Sequence, residues 1–289
     1  MMATEALRPL NVSDHDRNSA GLKYVYPVVS RRAGGISLGI NFNPNNACNW
    51  RCVYCQVPGL VRGSAPDLDH TRLQSELRLL LEQILTGEFH QRFDVPSAFR
   101  SLRDIAISGN GEPTTLKDFD DAIHTIETTL ADLPLPGTLS KVIISNGSMV
   151  ERPSVQAGLQ RWGSMGGELW FKLDRATPQG LQQINGTAIS PRRLLDNLAI
   201  AADMCPTRIQ TCLFSLDGMP PPGDEIRAYL ELLEQALKKQ IPVRDVMLYG
   251  LARPSMQAEA GRLGRVPPGW MGKLAARIRS LGLAVKVTP

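Results

Sequence analysis

The chain has 289 residues, 43% of them hydrophobic, and a formal charge of +4 from 32 Lys and Arg against 28 Asp and Glu. This is the composition of an ordinary globular protein with enough apolar material for a sizeable core, and the charge is too mild to announce a nucleic-acid partner. No apolar run approaches the roughly eighteen residues of a membrane span, and the opening MMATEALRPLNVSDHDRNSAGLK has no apolar signal core. The expectation is a soluble, cytoplasmic protein with no membrane partner.

In chain order, residues 1–35 read as a polar N-terminal lead and 36–289 as one domain without a compositional break. The predicted strands are ISLGINF (36–42), SLRDIAIS (101–108), KVIIS (141–145), LWFKLD (169–174), RIQTCLFS (208–215), VRDVMLY (243–249) and AVKVT (284–288). Between them lie helical patterns. The first, TRLQSELRLLLEQIL, gathers Leu73, Leu77, Leu80, Leu81, Ile84 and Leu85 on one face, and the others fall near 116–133, 153–161, 190–204, 224–239 and 269–281. Such alternation argues for a parallel α/β sheet with crossover helices, either an open partial barrel or a doubly wound sheet. In both, ligands gather at the carboxyl ends of the strands.

Three of the five cysteines stand at one such end, in ACNWRCVYCQ, with C-x3-C-x2-C spacing at Cys48, Cys52 and Cys55. An odd number of thiols crowded on one loop favours a metal or redox site over a disulfide framework. A structural zinc needs a fourth protein ligand, and the nearest histidines, His70 and His90, lie beyond a Pro/Gly-rich loop without finger spacing. A [4Fe–4S] cluster on three thiolates instead leaves one iron open for an exogenous ligand. The other thiols, Cys205 and Cys212, flank and sit in the fifth predicted strand as buried apolar thiols.

Further candidates stand at other strand ends. SGNGEPTT follows the second predicted strand, and Gly-Asn-Gly is also ordinary turn chemistry. Asn146 in SNGS is at a cavity rim or in a turn. Period two puts Lys172 and Asp174 on one side of LWFKLD, inward toward a cavity or outward as an ion pair under helices. Arg253 in YGLARPSMQ is a bidentate clamp for carboxylate or phosphate, or a solvated side chain. The last segment, 241–289, carries eight basic residues against Asp245 and Glu259. It is read as a solvated face or, with Trp270 for stacking, as a site for a phosphate-bearing or RNA substrate.

ACNWRCVYC, with Tyr54 directly before the last cysteine, resembles the CxxxCxΦC signature of the radical S-adenosylmethionine (SAM) superfamily. SGNGEPTT is similar to its GGE motif, with Asn110 in place of the first glycine. The resemblance spans residues 36–289 and implies a partial (β/α)6 barrel. It implies a [4Fe–4S] cluster on Cys48, Cys52 and Cys55, SAM on the open iron, and a one-electron donor of flavodoxin or ferredoxin type. It further implies reductive cleavage to a 5′-deoxyadenosyl radical that takes hydrogen from a substrate. Tyr54 would support the adenine ring, Gly111 would let backbone approach SAM, and Glu112 would accept from its amino group. Asn110, Asn146, Lys172, Asp174 and Arg253 would be polar contacts for SAM or substrate. Within the superfamily, SLGINFNP, CNWRCVYCQ, SGNGEPT, FKLD and YGLARP look most like the branch of wyosine-forming tRNA enzymes and their uncharacterised bacterial relatives. Those wyosine enzymes hold a second cluster on N-terminal cysteines. This sequence has no cysteine before Cys48, so only SAM cleavage is carried over.

Overall fold

The computed structural model describes residues 10, 17, 19–30, 33–267 and 269–289, so about half of the polar lead 1–35 lies outside the described residues. Eight strands form the main sheet. They are β1 (Val25–Ser30), β2 (Gly35–Ile40), β3 (Leu102–Ile107), β4 (Ser140–Ser145), β5 (Glu168–Lys172), β6 (Thr207–Cys212), β7 (Val243–Tyr249) and β8 (Val285–Thr288). Each lies beside its predecessor, so spatial order equals chain order. β1 runs antiparallel to β2, and every later pairing is parallel. A doubly wound sheet reverses its order midway; this one never reverses, which is the winding of a partial (β/α)6 barrel.

Six crossover helices cover the outer face: α1 (His70–Thr86), α2 (Phe119–Ala131), α3 (Pro153–Ser164), α4 (Pro191–Met204), α5 (Gly223–Lys238) and α6 (Trp270–Ser280). Helix α1 starts where the Asp69 side chain accepts from Arg72 N (2.9 Å) and stops at Gly87, whose φ of 86° suits a residue without Cβ. It buries Leu73, Leu77, Leu80, Leu81 and Ile84, but Leu85 is 36% exposed. At about 100° per residue Leu85 lies about 120° around the helix from Leu73, off the packed stripe.

β1 is absent from the predicted strands because Pro27 interrupts its pattern. Proline is tolerated there because β1 is an edge strand, paired on one side only. Buried Glu76 of α1 ties the chain entering β1, accepting from Lys23 N (3.0 Å) and Tyr24 N (2.7 Å).

Alternation along β5, β6 and β7 sorts the barrel wall. Leu169, Phe171, Ile209, Val246 and Leu248 are buried beneath the helices. The registers Lys172↔Gln210, Gln210↔Met247 and Cys212↔Tyr249 place those residues together on the inner face. At the amino end of that face, Arg208 pairs with Glu168 (3.1 Å) and Asp245 (3.6 Å). The carboxyl end is left for Lys172, Cys212 and Tyr249.

Candidate active site

The loop after β2 is stitched to its neighbours by asparagines. Oδ1 of buried Asn41 accepts from Asn43 N (3.0 Å) and Asn110 N (3.0 Å), and Asn43 Nδ2 donates to Ala47 O (2.9 Å). Further along, Arg51 N and Val53 N donate to the carbonyls of Asn185 (3.0 Å) and Ile184 (2.9 Å) in the turn after β5. Met256 N donates to Cys55 O (2.9 Å), and Ser255 Oγ to Val53 O (2.7 Å), from the loop after β7. The cysteine loop is thereby held by three different strand ends, as a site needs if its groups are to keep fixed positions.

Cys48, Cys52 and Cys55 all line one cavity of about 290 Å³ at the carboxyl ends of the strands. Trp50 N donates to Cys48 Sγ (3.4 Å), and Asn185 Nδ2 to Cys52 Sγ (3.4 Å). Burial, and after it the Glu112 carboxylate, pushes the Cys48 thiol up to about 12. Burial pushes Cys52 up to about 11 against the pull of the Lys172 charge. Among the described residues no three His, Cys, Asp or Glu side chains already converge at metal-binding spacing. The donor set nevertheless fits an iron–sulfur cluster: three thiols on one clamped loop face a common space, and two of them, Cys48 and Cys52, receive N–H···S bonds of the kind that tune such centres. His70 is engaged elsewhere, with Asp118 (2.6 Å) and Thr125 (3.0 Å), and neither it nor His90 lines the cavity, so neither completes a zinc site there.

Tyr54, Gly111, Glu112, Asn146 and Lys172 line the same cavity. Their roles differ in part from expectation. The buried Glu112 carboxylate accepts from Thr114 N (3.1 Å), Thr114 Oγ1 (2.6 Å), Ser145 Oγ (2.6 Å) and Asn146 N (2.7 Å). It latches the turn after β3 onto the end of β4; burial raises its pKa while these bonds oppose the rise. A Cβ at Gly111 would stand 1.9 Å from Ala47 O, so the close approach this glycine permits is to the cysteine loop. Asn146 donates from Nδ2 to Asn49 Oδ1 (2.9 Å), back onto that loop.

Lys172 points inward. Its ammonium lies 3.9 Å from Asp174 Oδ2, 4.9 Å from the centroid of the Tyr54 ring and 3.4 Å from the Tyr249 hydroxyl, to which it donates. Burial, the largest single influence, lowers its pKa, but Asp174 together with Tyr249, Cys52 and Cys212 outweighs burial and holds it well above the ordinary lysine value. Tyr54 packs against Phe214 at 5.5 Å and donates its hydroxyl to Asp174. Asp174 itself sits behind this wall rather than on the cavity, accepting also from Asn185 Nδ2 (2.7 Å) and Cys212 N (2.8 Å). Asn110 likewise does not line the cavity; its side chain bonds Asn46 (2.6 Å) and Arg17. Arg253 borders an adjoining chamber.

Sequence reasoning missed Gln210, Cys212, Tyr249 and Arg17, all on the cavity wall. Cys212 is buried among apolar side chains, as expected, yet it also lines this cavity, whereas Cys205 lies away beside Gly167 O (3.7 Å). Of the basic residues of 241–289, Arg253 stands in the loop after β7 and borders the adjoining chamber. Arg262 pairs with Asp217 (2.6 Å) and Arg244 with Glu168 (3.5 Å). Arg277 and Arg279 occupy the last turn of α6, and a crossover helix runs against its strands, so its last turn lies toward their amino ends. No helix among the described residues is long and apolar enough to cross a membrane.

The in-order parallel sheet is a fold shared with solved structures that include a radical SAM enzyme. Among solved structures, TYW1 with a lysine-pyruvate adduct bound is similar with a TM-score of 0.54 and 18% identity, over 86% of this chain and 74% of that one. A radical SAM methyltransferase from Sphaerobacter thermophilus is similar with a TM-score of 0.53 and 12% identity, over 91% and 68%. No family model matches the chain. Curated relatives include a GTPase Obg of Brachyspira hyodysenteriae, 29% identical over 133 residues, 46% of this chain and 17% of that one. A UPF0026 protein of Helicobacter pylori is 22% identical over 231 residues, 79% of this chain and 66% of that one. The chain thus spans less than two thirds of the length of either relative.

Proposed function

We propose that the chain is an enzyme that holds a [4Fe–4S] cluster on Cys48, Cys52 and Cys55, binds SAM in the adjoining space, and uses its reductive cleavage to take hydrogen from a small-molecule substrate. The observation that carries this reading is the opening of all three thiols, with the Gly111–Glu112 turn, into one cavity at the strand ends. When bound, such a cluster supplies an electron to the SAM sulfonium and an open iron for its amino and carboxylate groups.

The chain's own groups prepare the space. Lys172 places a positive charge beside Cys52, favouring thiolate. Glu112 fixes Asn146 and the β3 turn, and Tyr54 walls off Asp174 from the cavity. Val57, Leu60 and Leu251 supply apolar wall that limits water. Lys172 is the lysine of this cavity, but a protonated amine is a poor nucleophile, so we assign it an electrostatic role rather than a covalent adduct like that seen in TYW1. Five free thiols suit a reducing, cytoplasmic setting with a flavodoxin- or ferredoxin-like donor. With Arg244 paired to Glu168 and Arg277 and Arg279 in the last turn of α6, only part of the basic tail stands at the strand ends, which supports a small molecule over RNA.

The test is anaerobic reconstitution with iron and sulfide, followed by reduction in the presence of SAM. Bound sulfide together with 5′-deoxyadenosine and methionine as products is expected. Zinc without sulfide would sink the reading and leave a metal-stabilised scaffold.

A further inference from the structure

Beside the thiol cavity lies a second chamber of about 510 Å³, inside the range of small-molecule sites. The sheet curls so that both edges face it, with Tyr26 and Val28 of β1 on one side and Thr288 of β8 on the other. Ser108, Ile144 and Tyr249 border both spaces, so the two adjoin along a common wall.

Two guanidinium groups face this chamber, and both are positioned by neutral partners. Arg17 donates to the Asn110 side-chain oxygen and lies 5.8 Å from the centroid of the Tyr26 ring. That ring occupies the space a side chain at Gly39 would need, since a Cβ there would stand 2.1 Å from Tyr26 Cζ. Arg253 donates from Nη1 to Gln56 Oε1 (3.3 Å). Among the described residues no Asp or Glu side chain lines the chamber and neither arginine has a carboxylate partner. Burial and then the neighbouring Arg17 charge push the Arg253 pKa down, which marks two like charges brought together. Arginine does not discharge by losing its proton, so an anion entering between the two relieves their repulsion.

We propose that this chamber holds the substrate by an oxyanion, a phosphate or carboxylate group, clamped between Arg17 and Arg253. The planar guanidinium fork matches either group through paired, charge-assisted hydrogen bonds. The inference rests on the neighbouring cavity being the SAM site. Arg253 borders this chamber and not that cavity, whereas Arg17 lines both, so the clamp reaches from the chamber to the wall it shares with the place assigned to SAM. An anion fixed here leaves the rest of the substrate to extend past Ser108 and Tyr249 toward the thiols.

The experiment uses the full chain, reconstituted anaerobically, as wild type, Arg17→Gln, Arg253→Gln and the double variant. Inorganic pyrophosphate and malonate are titrated calorimetrically at low salt, and SAM is titrated into the same samples. At least one probe binds the wild type, each single variant weakens it at least about tenfold, and SAM affinity is unchanged in Arg253→Gln, whose side chain does not line the thiol cavity. The tighter probe tells phosphate from carboxylate. In the wild type the same probe shields Arg17 and Arg253 from phenylglyoxal, mapped by mass spectrometry, a readout independent of how the variants fold. Absence of binding by both probes, or binding indifferent to both arginines, overturns the clamp. A parallel loss of SAM affinity in Arg253→Gln also overturns it, by assigning that arginine to SAM. Failure of the wild type to bind SAM speaks against the cofactor reading instead, and is seen separately.

Discussion

Replacing Glu112 by alanine removes one acceptor that serves four donors: Thr114 N, Thr114 Oγ1, Ser145 Oγ and Asn146 N. A hydrogen bond to a charged group contributes about 1.5–3 kcal/mol, and a buried donor stripped of its acceptor costs about 1–3 kcal/mol. Two of the donors are hydroxyls that can rotate to other acceptors, and the variant also loses the cost of burying a carboxylate. The two backbone N–H groups cannot turn away, so the net loss is about 3 kcal/mol. At about 2–4 °C per kcal/mol for a chain of this size, Glu112→Ala melts about 6–12 °C below the wild type in calorimetry of the metal-free protein. Glu112→Gln keeps the shape but turns an NH2 group toward Asn146 N, so it falls between the two. Iron and sulfide contents match the wild type, since no thiol is touched. SAM affinity drops about tenfold as the turn and Asn146 lose their mutual positions. A Glu112→Ala protein melting within about 2 °C of wild type would refute the latch.

Cys48→Ala, Cys52→Ala and Cys55→Ala each abolish iron and sulfide uptake, whereas Cys205→Ala and Cys212→Ala retain both; loss of iron from the Cys205 variant would show that the ligands are misassigned. Lys172→Met strands Asp174 without its buried cation and lowers stability by about 2–4 kcal/mol, measured by urea unfolding near neutral pH. Because Asp174 raises the folded-state pKa of Lys172, the pair's contribution is full below about pH 10.5 and is lost as pH rises through the higher folded value. Wild-type stability therefore falls more steeply than that of Lys172→Met above about pH 10.5, and parallel falls would remove the pair from the account. Bulk tRNA shows no binding that depends on Arg262, Arg265, Arg277 and Arg279; a salt slope that flattens when all four become Gln would reinstate an RNA substrate.

The parallel strands and their helices are legible because both periods are local properties of the chain, and the thiol loop because its spacing is short. What escaped depends on partners distant in sequence. Pro27 hides β1 until the sheet shows that strand to be an edge. The choice between inward and outward for Lys172 is a matter of sheet curvature, to which period two is blind. Gly111 reads as a ligand approach, but only the fold reveals that Ala47 O already fills the space. Arg17 lies in a segment without pattern and meets Asn110 across ninety-three positions.

A barrel that stops short of closure keeps two bare rims, each a row of backbone groups on which a foreign strand could build. One rim carries Pro27 within the strand, which has no N–H to offer. The other is only four residues long and carries an exposed lysine, Lys286. These features guard against edge-to-edge aggregation, so the protein can leave its wall open to a guest without inviting a copy of itself.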